Sequence, residues 1–382
     1  MSCAVANPPV EVRVIESFDD LPDEIAQVLV DCKFTDLHHT LDWFRLLAAT
    51  ALEPGGLLRI YWVAPSGQPL LCVPCLFTSA SPPQRLAALS NFYTPLFGPV
   101  GNHGVTPDNV HRWVQHVTSE RPRWDIIDLQ PLDPTTAFFR LLLEEFRRAG
   151  WWVDSYFCFG NWYLEVAART FADYWVGLSS RMRNTISRAQ RRLERMPGFQ
   201  LAIVTAPGPD LDAAINAYQT VYACSWKQPE PFPHFIPALC RLAAERGWLR
   251  LGVIHLDQQP VAAQLWLCDG QTASIVKLAH DQSLVKLGAG SVLTAALMQY
   301  VMDIDRIRIV DYLIGDDAYK REWMSHRRER CGFIAFNPRT IRGVAGAIHH
   351  FGGKIWRGLA PLHRPDAPVA HPSTRPSDPP VA

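Results

Sequence analysis

Three strand-like segments that follow one another directly, residues 248–256, 261–268 and 273–279, constrain this chain more than any other feature. Each is a short run of β-branched and aliphatic residues, and only short polar joints separate them. Helical stretches at 210–225 and 233–246 lead into this run. A helix at 291–302, a strand at 306–313, a short helix at 319–324 and a strand at 333–336 come after it. Strands grouped in this way between helices exclude a strict βαβ alternation and predict a mixed sheet flanked by helices.

The first half has the same order. A strand at 10–15 precedes helices at 21–30 and 41–52, then strands at 59–64, 70–77 and 86–97. A helix at 109–118, a strand at 125–129, a helix at 135–149 and a strand at 151–157 complete it. Between the halves the spacing predicts one long helix at 171–196, stopped by Pro197-Gly198, and a strand at 200–204. With 382 residues, more than one hydrophobic core usually serves. The reading is therefore an α/β chain of two tandem domains with the same element order: 10–165, 166–340, an amphipathic helix at 341–360 and a disordered tail at 361–382. No residue-level repeat at a fixed period accompanies it.

Charge separates the halves although the formal net charge is zero. Residues 1–165 hold 11 Lys/Arg against 19 Asp/Glu, leaving 26 against 18 for the remainder, so a phosphate-rich ligand suits the second half. Met1–Pro9 has neither the basic nor the apolar region of a secretory leader. The longest uncharged stretch, 86–107, is broken by Pro, Gly and Asn and does not read as a membrane span. Nine cysteines without a repeating spacing suit a reducing compartment, and the expected location is the cytoplasm.

The segment running from Lys277 to Ser291 carries the chemistry. Gly288-Ala289-Gly290 stands between a strand and a helix whose apolar face is Val292, Leu293, Ala296, Leu297, Tyr300 and Val301. A helix start offers unpaired N–H groups and the positive end of a dipole, and glycines admit a close phosphate. The expected ligand is a pyrophosphate held by Gly288, Ala289, Gly290 and Ser291, with Lys277 nearby. A plain turn into a helix is the alternative. Downstream, one short block collects Asp311, Gly315, Tyr319, Lys320 and Trp323.

Taken in order, these residues resemble the GNAT-superfamily acetyltransferases of the CelD/BioF2-like group, relatives of the Fem aminoacyltransferases. Members of that group have a strand ending in Asp, a Gly, then Tyr-Lys and Trp, after a Gly-rich turn that opens a long helix. The resemblance spans about 171–338 and includes the Arg-rich stretch with Arg181, Arg183, Arg188, Arg191, Arg192 and Arg195. Gly288-Ala289-Gly290 replaces the group's usual Ser-Pro-Gly, and Val285 stands where an older GNAT pattern has a polar residue.

The resemblance implies an acyl-CoA co-substrate, acetyl-CoA first, lying in a V-shaped split between the strands at 273–279 and 306–313, with no metal. It implies attack of an amine on the thioester, with Tyr319 as acid for the leaving thiolate or, alternatively, as a packed ring. Lys320 reads as a phosphate or acceptor ligand, or as a surface lysine. Asp311 reads as a group that orients Lys320 or takes the amine proton, or as a turn cap. Arg181, Arg183 and Arg188, with Trp323, read as acceptor-binding; the alternatives are a solvated face, the CoA 3′-phosphate or, third, nucleic acid. The acceptor implied is a small amine of a sugar or of an envelope or exopolysaccharide precursor. The competing functions are a Fem-type aminoacyl-tRNA-dependent transfer and a non-catalytic partner in a polysaccharide-synthesis assembly.

Other signals are weaker. Cys72-Val-Pro-Cys75 lies in a strand without a second pair and reads as packing. His38-His39 and His349-His350 read as helix surface or caps. The helix around 340–359 reads as docked on the second domain, with peripheral membrane contact as the alternative.

Overall fold

The computed structural model describes residues 12–31, 36–64, 70–78, 83–101 and 104–359. The leader reading on Met1–Pro9 and the tail from Pro361 lie outside the described residues. The described residues divide into two compact units, one from within 12–159 with 329–359 and the other 160–328.

The first unit begins with β1 (Val12–Ile15), α1 (Asp23–Asp31) and α2 (Leu41–Thr50), followed by β2 (Gly56–Val63), β3 (Leu71–Thr78) and β4 (Arg85–Ala88). Then come α3 (Pro107–Ser119), β5 (Ile126–Leu132), α4 (Ala137–Arg148) and β6 (Trp152–Glu165). β1 to β4 pair antiparallel in sequence order, and β5 lies parallel to β4. Three consecutive strands joined by tight connections can pair only antiparallel, whereas the passage through α3 returns the chain in the parallel sense. Trp43, Trp113, Phe44, Phe97 and Phe146 fill the interior.

After α5 (Phe171–Gly177) and α6 (Ser180–Leu193), the second unit follows the same order. It runs β7 (Gln200–Val204), α7 (Pro209–Ala223), α8 (Phe235–Glu245), β8 (Leu249–Leu256), β9 (Gln259–Cys268) and β10 (Thr272–His280). α9 (Ala289–Gln299), β11 (Ile309–Asp311) and α10 (Ala318–Trp323) follow. β7 to β10 are antiparallel neighbours and β11 is parallel to β10. The chain ends its described course with β12 (His326–Phe336) and α11 (Ile341–Leu359). Each unit is thus a mixed sheet with helices, and the two share one element order, as tandem domains require.

The last strands are exchanged between the repeats. Cys331–Phe336 of β12 pairs with β5 in the first unit, while Tyr163–Glu165 of β6 pairs with β11 in the second. The boundary expected at 340 therefore moves back to 328. The helix at 341–359 also belongs with the first unit, correcting its expected docking on the second. Its Ala347 and Phe351 pack with Ile126, Ile334, Phe336 and Tyr156, and His350 reaches Asp154 at 2.6 Å.

Four further expectations shift. The helix at 171–196 is broken, because Leu178 is extended and Ser179 caps a new helix by accepting from the Met182 amide at 3.2 Å. The strand at 86–97 stops at Ala88, after which Ser90 donates to the Gln130 carbonyl of β5 and Asn91 to the Ala51 carbonyl. The strand at 306–313 shrinks to three residues because Arg306 and Leu313 both take positive φ. His38 and His39 are buried instead of lying on a surface; His38 Nδ1 meets Asp36 at 2.5 Å. Cys72 and Cys75 are both fully buried in β3, where burial raises the Cys72 thiol to about 12. Among the described residues no helix is long and apolar enough to cross a membrane.

Candidate active site

The second unit's sheet opens at one edge of β10. Thr272, Ala273 and Ser274 pair with Ile309, Val310 and Asp311, and beyond Ser274 β10 has no partner on that side among the described residues. A register shift between Ile275 and Lys277 bends β10 where the pairing ends. The two strands therefore part at their C-terminal ends, next to the start of α9.

That start is built for an anion. A 3-10 turn, Gln282–Leu287, brings the chain to Gly288, which takes φ +73° and ψ 22° and opens α9. No side chain caps α9 and no acidic residue occupies its first turn. The first amide with a backbone acceptor is Val292, which donates to the Gly288 carbonyl at 3.2 Å. The amides of Ala289, Gly290 and Ser291 are left for a ligand, reinforced by the helix dipole. Gly288 is also forced to be small, since a Cβ there would lie 2.9 Å from the Ala189 Cβ of α6.

The turn is held from beneath. Gln264 of β9 donates to the Gly290 carbonyl at 2.9 Å and to Thr294 Oγ1 at 2.8 Å, while Trp266 donates to Gln264 Oε1 at 3.0 Å. Sequence reading missed Gln264, Thr294 and Trp266 because their common feature is spatial. His280, at the end of β10, was also missed; its Nδ1 sits 3.4 Å from where a Gly290 Cβ would be, and burial lowers its pKa.

The first unit has the corresponding helix start closed. Thr106 caps α3 by accepting from Asn109, Pro107 has no N–H and Asp108 occupies the first turn. Those three features remove donors and place a carboxylate where an anion would sit.

Several expected site residues have other partners. Lys320 is buried, and its Nζ donates to the Ile314 carbonyl at 2.5 Å and pairs with Asp317 at 3.0 Å. It pins the turn between β11 and α10 and is neither a surface lysine nor aimed at a phosphate. Asp311 does not reach it. The Asp311 carboxylate accepts from Asn161 at 2.5 Å, from the Leu313 amide at 2.7 Å and from Arg328. Trp323 is core, its carbonyl accepting from Tyr174 at 2.8 Å, so it has no face for an acceptor. Tyr319 is half-buried, edge-on to the Tyr312 ring with centroids 5.7 Å apart.

Lys277 also departs from expectation. It pairs with Leu265, placing its side chain on the α7 face, opposite Gln264 and α9. There its Nζ lies 3.0 Å from Glu230, and burial lowers its pKa to about 8.

The arginines of α6 fall into two groups. Arg181 is exposed and Arg183 half-buried near the helix start. Arg188, Arg191, Arg192 and Arg195 line a groove of about 400 Å³. Arg192 donates to the Lys286 carbonyl at 2.7 Å, which sets this groove beside the Gly288 turn.

A split between two parallel strands, with an uncapped helix start beside it, is the arrangement of a GNAT-type acyltransferase. Residues 180–321 match the acetyltransferase (GNAT) domain family, so the second unit carries an N-acetyltransferase domain of that class. No curated protein matches the chain. Among solved structures, the chain is similar in fold to FemX, with a TM-score of 0.57 at 10% identity, covering 85% of this chain and 96% of that one. It is also similar to a conserved protein of unknown function from Bacteroides thetaiotaomicron, with a TM-score of 0.53 at 12% identity over 85% and 100% of the two chains. Another is a DUF2156 C-terminal domain from Agrobacterium fabrum, at 0.50 and 12% over 86% and 96%.

Proposed function

We propose that the chain transfers an acyl group, acetyl in the first instance, from acyl-CoA to an amine of a sugar or other cell-envelope or exopolysaccharide precursor. The observation that carries this reading is the uncapped, acid-free start of α9 beside the parting of β10 and β11. The amides of Ala289, Gly290 and Ser291 hold the pyrophosphate, and the groove of Arg188, Arg191, Arg192 and Arg195 lies alongside for the 3′-phosphate. The acyl arm runs into the split where β10 and β11 part.

In the reaction the neutral acceptor amine attacks the thioester carbonyl, the new C–N bond forms as the C–S bond breaks, and the nitrogen releases its surplus proton to solvent. Unpaired amides of β10 next to the bulge steady the developing oxyanion. Tyr319 returns a proton to the thiolate, a transfer suited to a phenol whose ordinary pKa is about 10. Lys320 and Asp311 act by fixing the turn that presents Tyr319. The first unit, whose α3 start is capped by Thr106, is read as the degenerate one of the pair. The fold likeness to FemX keeps an aminoacyl-tRNA donor as the second reading, with the α6 arginines on RNA; RNase treatment of a transfer reaction separates the two.

The test is a transfer assay with labelled acetyl-CoA and a panel of amino sugars. Tyr319→Phe should lower kcat roughly 10- to 100-fold with acetyl-CoA affinity unchanged. Unchanged kcat would remove Tyr319 from its role, and loss of cofactor binding would make it structural.

A further inference from the structure

The α7 face of the split carries a polar site of its own. Ser274 and Lys277 pair with Leu267 and Leu265, two residues apart on β9, so both side chains lie on this face. The segment joining α7 to α8 folds back to Lys277. Gln282 donates to the Cys224 carbonyl at 3.2 Å, and Glu230 reaches Lys277. Tyr222 at the end of α7 lies under the ammonium, with its ring 5.9 Å from Lys277 Nζ. Pro229, Pro231 and Pro233 stiffen the return.

At its centre is an ion pair with side-chain exposures of 9% and 11%. Two charges drawn this far from water gain little net stability from each other, so packing alone does not explain their presence. Their place does suggest a reason: Lys277 stands at the bulge where the thioester would be met from the acceptor side.

Resting on the acyl-transfer reading above, we propose that Glu230 and Lys277 form the acceptor-binding site and select an acceptor that carries an acidic group beside its amine. In the resting protein the two side chains satisfy each other. An incoming acceptor places its amine on Glu230, which takes the ammonium proton and leaves a neutral nitrogen to attack, and its carboxylate on Lys277, so both buried groups exchange one partner for another. An amine lacking the acid would compete for Glu230 and bring Lys277 no carboxylate in exchange, a loss that disfavours it. Burial weakens the hold of Lys277 on its proton, and a carboxylate bound beside it works in the opposite direction by favouring the charged form.

Muramic acid and glucosamine share the same amine and differ by a carboxylate-bearing arm; L-alanine and its methyl ester form a second matched pair. With the full chain and acetyl-CoA, the acid of each pair should be acetylated with a kcat/KM roughly 30- to 100-fold above its neutral partner. Lys277→Met should reduce that ratio to near one through a raised KM for the acid, with acetyl-CoA affinity within about threefold of wild type. Lys277→Arg should keep the preference, which guards against a fold defect in the Met variant. Equal turnover of acid and neutral partner by wild type, or a preference that survives in Lys277→Met, would overturn the proposal. Failure of wild type to acetylate either acid would overturn it as well. Absence of acetyl-CoA binding by wild type would instead remove the acyl-transfer reading beneath it.

Discussion

Replacing Gly288 with Ala tests the geometry of the cofactor turn in two separable ways. Gly288 has φ +73°, where an L-residue costs about 1 kcal/mol relative to glycine. The new Cβ would sit 2.9 Å from the Ala189 Cβ, well inside the ~3.5–4.0 Å at which carbon atoms attract. Both atoms are fixed to helix backbone, so relief requires α6 and α9 to separate slightly, at a further cost of about 1–2 kcal/mol. Gly288→Ala should therefore destabilise the second unit by about 2–3 kcal/mol, read as a fall in the urea midpoint of roughly 1 M. Adding Ala189→Gly removes the collision but not the backbone strain. The double variant should show a favourable coupling of about 1 kcal/mol against the sum of the two singles. A Gly288→Ala protein within about 0.5 kcal/mol of wild type, or a coupling of zero, would refute the claim that α6 and the turn pack this closely.

Two further outcomes follow from the partners found for the charged residues. Lys320→Met should lower stability by about 2–4 kcal/mol, because the Ile314 carbonyl loses its donor and Asp317 its cation; calorimetry should find acetyl-CoA affinity within about threefold of wild type. Pairing Arg188→Gln with Arg195→Gln should weaken acetyl-CoA binding roughly 5- to 20-fold while leaving 3′-dephospho-acetyl-CoA unaffected, and the effect should shrink as salt rises. Equal losses for both ligands would move the groove away from the 3′-phosphate.

Much of the fold was legible from local pattern. The strands β8, β9 and β10 are mainly β-branched and aliphatic with polar joints, and α9 declares itself by its spacing, so the order of elements in both units could be read. What escaped was set by distant partners. β12 pairs with β5 across the whole second unit, and β6 continues past Phe157 to reach β11, neither of which leaves a mark on hydrophobic periodicity. The break between α5 and α6 was visible as a second capping residue, Ser179, but a serine within an otherwise helical run carries little weight by itself. β11 is short because Arg306 and Leu313 take a conformation normally associated with glycine.

The candidate site divides along the same line. The Gly288 turn announces itself because flexibility, helix start and apolar face are contiguous. The partner of Lys277 is 47 residues away, and Lys320 looks exposed because Arg321 and Glu322 follow it, although its own side chain turns inward. Charge in the sequence indicates which residues need partners, and the fold decides which partners they get.

The central claim is that the start of α9 receives the pyrophosphate of an acyl-CoA. Isothermal titration of the full chain with acetyl-CoA, in wild type and in Gly290→Trp, tests it most directly. Gly290 has open approach except for His280, and an indole there would cover the three unpaired amides. The account predicts saturable one-to-one binding by wild type and a loss of at least tenfold in affinity in the variant. No binding of acetyl-CoA or of other short acyl-CoAs by wild type, or equal affinity in Gly290→Trp, would contradict it.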